Sequence, residues 1–425
     1  MKIAIIGTGI SGLTAAHLLH QQHQITVFEK NHYIGGHSNT IDVTEQDRTI
    51  PIDTGFIVFN NWTYPNFEKL ISQLDIGVAN SEMSFSAKCE SSHFEWCGKG
   101  VQGLAFNKHN WHKVKSYKIL VDFLRFNRLA KSLISQTTTD ITLGEFLKKH
   151  RFTDAFIDYY ILPMGAAIWS SSMQDINHYP AHSFLSFFNN HGLLNINHRP
   201  QWKTVVGGSR QYVQKLSQPF AKNIKLNSRI ESIDRNNNKI AIHFSNNITE
   251  HFDHLIMACH SDEALNLLAK PTNKEIETLG KINYQANEAV LHTDSSIMPN
   301  NKQAWSSWNY LLPKTRTDNA KVTYYMNLLQ PLNTHQDYFV TLNLSNRIDE
   351  NKIIRKIAYQ HPVFDRAAIR AQSNKSLING EHNTWYCGAY WRHGFHEDGV
   401  WSALTTIEQF NREVNDAQLH LQRAS

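Results

Sequence analysis

Cysteine is scarce in this chain: Cys89, Cys97, Cys259 and Cys387 are four among 425 residues, far apart and without a CxxC pair. That spacing excludes a disulfide framework and a structural zinc site, and fits a reducing, cytoplasmic compartment. No HExxH occurs and the 24 histidines are scattered, so no metal site is expected. His17, His20 and His23 recur at helical spacing and read as one solvated face. No stretch approaches the roughly 20 apolar residues of a membrane span, so the chain reads as soluble or peripheral. Lys2 precedes an apolar run, but glycines interrupt that run and no small-residue cleavage site follows, which argues against export. A net charge of +5 is too small to imply nucleic acid. Neither a Ser-His-Asp nor a Cys-His arrangement stands out, and there is no internal repeat. What is present is 41% hydrophobic and 11% aromatic content, enough for a folded protein, in a chain long enough for two domains.

The first forty residues carry the clearest pattern. Lys2 to Ile6 reads as an apolar strand running into Gly7-Thr8-Gly9-Ile10-Ser11-Gly12. Leu13 to Gln22 reads as a helix, Gln24 to Phe28 as a second strand ending on Glu29, with Lys30 next. Strand, glycine turn, helix, strand and acid make a dinucleotide-binding βαβ unit. Gly7 permits the tight turn, Gly9 lets the backbone approach a pyrophosphate, and Gly12 lets helix and strand pack closely. The helix N-terminus offers free N–H groups and a partial positive charge to that anion. Glu29 suits a ribose diol and would repel a 2′-phosphate, which favours FAD or NAD over NADP.

Downstream, Gly35-Gly36-His37 follows Glu29 at the spacing of a second phosphate-contacting loop, and Asp53-Thr54-Gly55 comes next. This order resembles the flavin amine oxidase and phytoene desaturase superfamily. That pattern usually carries arginines beside the paired glycines; Tyr33 and His37 stand there instead. Pro51 to Phe56, Leu162 to Trp169, Asn190 to Leu194, Arg199 to Trp202, Gly207 to Tyr212 and Cys387 to Gly399 together resemble a bacterial family of that superfamily known as predicted NAD/FAD-binding oxidoreductases. The resemblance implies an α/β fold: a Rossmann-like FAD-binding domain from residues 1–60, 200–280 and 380–425, and a mixed-sheet plus helical substrate domain from 61–199 and 281–379. It implies extended, non-covalent FAD. Gly7, Gly9, Ile10, Ser11, Gly12, Glu29, Lys30, Gly35, Gly36 and His37 would hold adenosine and pyrophosphate, with Ile230 at the adenine. Thr54, Gly55, Gly388, Gly399 and Val400 would lie near the isoalloxazine, where a helix from Val400 stabilises the reduced flavin.

Between these landmarks the expected elements are a helix at Asn66–Leu74, a hairpin from Met83 to Cys97, and helices at Asn110–Leu133, Leu143–Lys149 and Asp154–Ile161. Strands are expected at Lys239–Phe244 and His254–Ala258, with Ser261 capping the next helix. Ala286 to Leu344 reads as strand-rich, and Lys352–His361 and Asp365–Ala371 as short helices.

Flavin carries the hard step, so residues reveal little of the chemistry. His37, Trp391, His393 and His396 are the catalytic candidates, each with a bland alternative as an ordinary hydrogen-bonded residue. Tyr160 and Trp169 are candidates for an apolar pocket wall, core packing being the commoner role. Residues 108–131 crowd basic side chains among Ile119, Leu120, Phe123, Leu124 and Phe126. Such a helix can lie on the anionic inner face of a membrane; a core-facing helix with a basic solvated side competes with that. The reading is an FAD-dependent oxidoreductase taking a hydride from an apolar, lipid or acyl-chain substrate, with no nucleic-acid partner. The alternatives are a flavin amine oxidase, a redox-neutral flavin isomerase, and a non-enzymatic partner of a lipid-modifying enzyme. The sequence leaves the oligomeric state open.

Overall fold

The computed structural model describes residues 1–98, 114–134, 141–195, 197–236 and 239–424. Its centre is a five-stranded parallel sheet in the order Ile224–Lys225, Gln24–Phe28, Lys2–Ile6, His254–Met257, Thr384–Tyr386. A parallel sheet covered on both faces needs strands apolar on both sides. Ile3, Ile5, Ile25, Val27 and Ile256 serve one core, and Ala4, Ile6, Phe28, Leu255 and Met257 the other. The helices Ile10–Leu19 and His396–Ala424 pack together over the first face. Their closest approaches need glycine. A Cβ built at Gly12 would stand 2.0 Å from the Gly7 carbonyl oxygen, and one at Gly399 would stand 2.6 Å from Ile10 Cγ2.

A seven-stranded mixed sheet runs in the order Ile353–Val363, Asn283–His292, Phe339–Leu342, Val322–Tyr325, Trp308–Leu311, Phe85–Cys89, Phe94–Cys97. Its pairings are antiparallel except for Trp308–Leu311 beside Phe85–Cys89, where two distant stretches of chain meet. Ile50, Ile52 and Ile57 pack under this sheet with Leu291 and Val340. A small sheet of Val58–Asn60, Trp202–Val205 and Val78–Asn80 ties the two larger ones together. Asp53 reinforces the tie: its carboxylate accepts from the Ser209 backbone N–H at 2.9 Å and from the hydroxyls of Thr40 and Ser209. Burial pushes the Asp53 carboxyl up to about 6.

The helical layer comprises Val114–Ile134, Leu143–Lys149, Asp154–Phe156, Leu162–Trp169, Met173–His178 and Ala181–Asn190 around one aromatic core. Thr142 and Glu145 form a capping box on the second of these. A π turn at Ile157–Ile161 precedes Pro163, which has no N–H to continue the ladder.

Several expectations change. Ile353–Val363 is a strand, not a helix: it pairs with Asn283–His292 over its whole length as the sheet's edge, where Pro362 is tolerated. The first helix begins at Ile10 and the last at His396, earlier than their apolar periodicity suggests. His260, not Ser261, occupies the N-cap; Ser261 lies inside the helix and donates to the Ile282 carbonyl. His17, His20 and His23 are partly buried, with His20 against Phe220 and His23 against Phe410. No described helix is long and apolar enough to cross a membrane.

Replacing Gly12 with Ala is expected to lower stability by at least about 1–3 kcal/mol, because backbone blocks the new methyl. A denaturant titration checks this; an unchanged midpoint would contradict the packing at Gly7.

Candidate functional site

One cavity of about 1560 Å³ runs from the glycine turn into the helical layer. It exceeds the ~300–1,000 Å³ usual for a single small ligand, and its two halves differ in chemistry. The first half is backbone-rich and polar. Gly7, Gly9, Ile10 and Ser11 line it, with Glu29, Lys30, Gly35, Gly36, His37, Gly55, Ile230 and Gly388. The Gly35 N–H donates to the Thr8 carbonyl at 3.0 Å, which locks the two glycine loops together. Gly9 has open space where its Cβ would be, and the helix N-terminus beside it carries no acid in its first turn. A diphosphate fits that cradle on both counts.

Glu29 is buried, and hydrogen bonds fix both its oxygens. Thr8 donates its backbone N–H at 3.0 Å and its hydroxyl at 2.5 Å; Asn31 donates its N–H and side-chain amide, each at 2.9 Å. Lys30 pairs with Glu263.

Several expected residues stand behind the cavity wall. Gly12, Gly399 and Val400 sit in the helix packing, and Ser11 Oγ donates to the Gly399 carbonyl at 3.1 Å. The Thr54 hydroxyl bonds the Asn39 carbonyl and the Tyr359 hydroxyl, each at 2.9 Å. Trp391 is buried in the sheet's second core with Lys375 over its ring, away from the cavity. Its place beside a glycine loop suggested exposure to the flavin; its neighbours enclose it.

Histidines mark the junction of the two halves. His37 stacks on Tyr359 with ring centroids 4.8 Å apart, and lies 5.2 Å from His361 and 6.4 Å from His260. Burial, and then the neighbouring imidazoles, hold His37 well below the ordinary histidine range. Burial brings His361 down to about 4 and His396 to about 3. His396 Nε2 lies 2.9 Å from Ser38 Oγ and 2.8 Å from the Tyr212 hydroxyl, and its ring stacks on Phe56. Asn287 turns its amide nitrogen to His361 Nδ1 at 3.0 Å because its oxygen accepts from Asn343 at 2.7 Å. The neutral His361 proton therefore sits on Nε2. His260, Asn287 and His361 escaped the sequence reading because they come from three separate strands and their ends.

The second half is apolar and aromatic, with Trp96, Phe123, Tyr160, Met164, Trp169, Phe187 and Trp308 in its wall. Tyr160 and Trp169 thus serve both core and cavity. His393 lines it too, brought to about 4 by burial. His191, which the sequence reading missed, stacks on Phe187 at 3.8 Å and has its Nδ1 3.0 Å from the Phe187 carbonyl. That bond puts the neutral proton on Nδ1 and leaves a lone pair on Nε2. Burial holds His191 at about 4.

The sequence profile of the family described as flavin containing amine oxidoreductase matches residues 10–346. The chain belongs to that family. It is an FAD-dependent oxidoreductase with the flavin amine oxidase fold, and the polar half of the cavity fits its cofactor. A 42-residue stretch is 50% identical to 4,4'-diapophytoene desaturase (4,4'-diaponeurosporene-forming) of Staphylococcus aureus; it spans 10% of this chain and 8% of that relative. Solved structures share the fold at low identity. The CLA-producing fatty acid isomerase from P. acnes is 16% identical with a TM-score of 0.67, over 96% of this chain and 98% of that one. Cyclohexylamine oxidase from Brevibacterium oxydans IH-35A is 13% identical with a TM-score of 0.67, over 96% and 99%. Putrescine oxidase bound to putrescine is 11% identical with a TM-score of 0.67, over 97% and 99%.

Gly9→Ala is expected to leave the melting temperature of FAD-free protein unchanged, because the methyl meets no protein atom, yet to cost about 1–3 kcal/mol of FAD affinity by crowding the cofactor. Flavin fluorescence titration checks this; equal affinity would place the pyrophosphate elsewhere.

Proposed function

We propose that this oxidoreductase removes a hydride from an apolar acyl chain. The observation that carries the reading is the continuity of the cofactor cradle with a chamber walled by aromatic and aliphatic side chains. An apolar chain buried there gains about 25 cal/mol per Å² of surface removed from water. A protonated amine would need a carboxylate beside the aromatic faces, and among the described residues the one acid lining this half, Glu82, is exposed and accepts from Ser84 at 3.1 Å. Flavin amine oxidation is therefore the weaker reading. An isomerase acting on the same chain, as a fold relative does, is the second reading, and it differs in consuming no electron acceptor. On this reading the discontinuous FAD-binding domain (1–60, 200–280 and 380–425) holds the cofactor half and the substrate domain (61–199 and 281–379) supplies most of the apolar wall, such as Trp96, Tyr160 and Trp308.

Bound FAD would supply the hydride acceptor. The chain does the rest. The cradle orients the cofactor, the aromatic wall excludes water, and His191 Nε2 takes the proton lost from the adjacent carbon. Cys259 also lines the cavity, but burial raises its thiol far above the usual range, so no reactive thiolate stands ready there.

The helix Val114–Ile134 carries the mouth. Leu120 and Leu124 line the cavity, while Tyr117, Val121 and Leu124 are 60%, 61% and 48% exposed. Lys118, Arg128 and Lys131 accompany them on its exposed surface. This supports peripheral contact with the cytoplasmic face of a membrane, from which the substrate enters. Lys108, Trp111, His112 and Lys113 of the same basic stretch lie outside the described residues.

In an assay of quinone or oxygen consumption, acyl chains are expected to turn over and primary amines not. His191→Ala is expected to slow acyl turnover by about 10²–10⁴-fold with chain binding kept. Because the base form persists above about 4, wild-type turnover stays flat across about pH 6 to 8 and falls as His191 is protonated at lower pH. Amine turnover, or full activity in the alanine variant, would contradict the reading. The double change Val121→Glu and Leu124→Glu is expected to weaken binding to anionic vesicles about tenfold or more, as read by co-sedimentation; unchanged sedimentation would remove the membrane contact.

A further inference from the structure

The apolar half of the cavity has one Lys or Arg in its lining among the described residues, Arg199. It stands on the loop after Asn190, at the chamber's rim, where Tyr160 also lines the wall. The loop is built. Arg199 Nε donates to the Asn195 carbonyl at 3.0 Å, the Asn195 amide donates to the His198 carbonyl at 3.3 Å, and Lys131 of the mouth helix donates to Asn195 Oδ1 at 2.8 Å. His198 has a positive φ of 59°, and Pro200 follows Arg199 and stiffens the chain behind it. This bonding spends one edge of the guanidinium on the loop. The two terminal nitrogens have no protein partner among the described residues, and Arg199 makes no ion pair there. Other basic groups near the chamber are engaged: Lys203 pairs with Glu68 at 2.6 Å and Arg316 with Asp158 at 2.6 Å. An unpaired guanidinium fork at the edge of an apolar chamber is the complement of an oxyanion on the end of an apolar chain.

We propose that Arg199 anchors the anionic head group of the substrate, a carboxylate or a lipid phosphate, while the chain lies in the chamber. This rests on the acyl-chain reading and adds to it. With the head held at the rim, its distance to the junction of the two halves selects which carbons face the flavin, so Arg199 is a specificity-determining residue rather than a catalytic one.

The test uses FAD-loaded protein and the quenching of intrinsic tryptophan fluorescence, since four tryptophans among the described residues line this half (Trp96, Trp169, Trp202 and Trp308). Three ligands are titrated: an unsaturated C18 fatty acid, its methyl ester, and phosphatidylglycerol in vesicles. Wild type is compared with Arg199→Ala, Arg199→Lys and the remote surface change Arg412→Ala. Arg199→Ala is expected to weaken binding of the preferred anion about 10–100-fold and to leave the ester unchanged. Arg199→Lys restores part of the loss, because it keeps the charge without the fork, and Arg412→Ala changes nothing. A preference for the free acid assigns the carboxylate and a preference for phosphatidylglycerol assigns the phosphate; each supports the proposal. Equal binding of acid, vesicle lipid and ester by wild type, or an Arg199→Ala protein that binds the anions normally, would overturn it and leave the acyl-chain reading standing. If not even the ester binds, the acyl-chain reading itself fails, and this proposal with it.

Discussion

The approach of one helix to the turn before it governs the cofactor end of this protein. With Gly12 packed onto the Gly7 carbonyl, the helix Ile10–Leu19 starts immediately after Gly9, and its free N–H groups face the cavity. The second glycine loop is hung from the same turn through Gly35 and Thr8, and Glu29 is pinned to it by Thr8 as well. The last helix, entering at His396, can lie against the first only because Gly399 has no side chain. A side chain at Gly12 would therefore shift both glycine loops and Glu29 together.

The charge pattern around that cradle is unusual for the superfamily it resembles. Where arginines would place fixed positive charge, this chain has Tyr33 and a set of buried imidazoles. His37, His361 and His396 are neutral at physiological pH because burial disfavours their charged forms. At the glycine turn itself, backbone N–H groups and the helix dipole are what the chain offers an anion. The imidazoles contribute hydrogen-bond donors and acceptors in fixed tautomers, as Asn287 does for His361 and Phe187 for His191.

Much of this was legible in the chain itself. The βαβ unit follows from local pattern: an apolar strand, a glycine turn and an acid at the strand end are short-range features with short-range causes. The flavin fold followed from motifs spread across the chain. The cavity's chemistry was legible only in part. Tyr160 and Trp169 stood out by composition, but His191 acquires its role from a carbonyl four residues earlier and from walls built elsewhere, which no local pattern reports. Trp391 shows the converse: it sits in the right segment and faces the wrong way, because its neighbours Tyr390 and Lys375 enclose it. Lys352–His361 reads as helical by itself, and Ile353–Val363 is a strand because Asn283–His292 offers it a partner.

The central claim is that cofactor cradle and apolar chamber form one continuous reaction space for a chain-shaped substrate. The most direct measurement is an anaerobic absorbance spectrum of FAD-loaded protein, before and after an unsaturated acyl lipid is added. Loss of the oxidised flavin band, returning when oxygen or a quinone is admitted, is the predicted result. A flavin that stays oxidised with acyl lipids and bleaches with a primary amine would contradict the account.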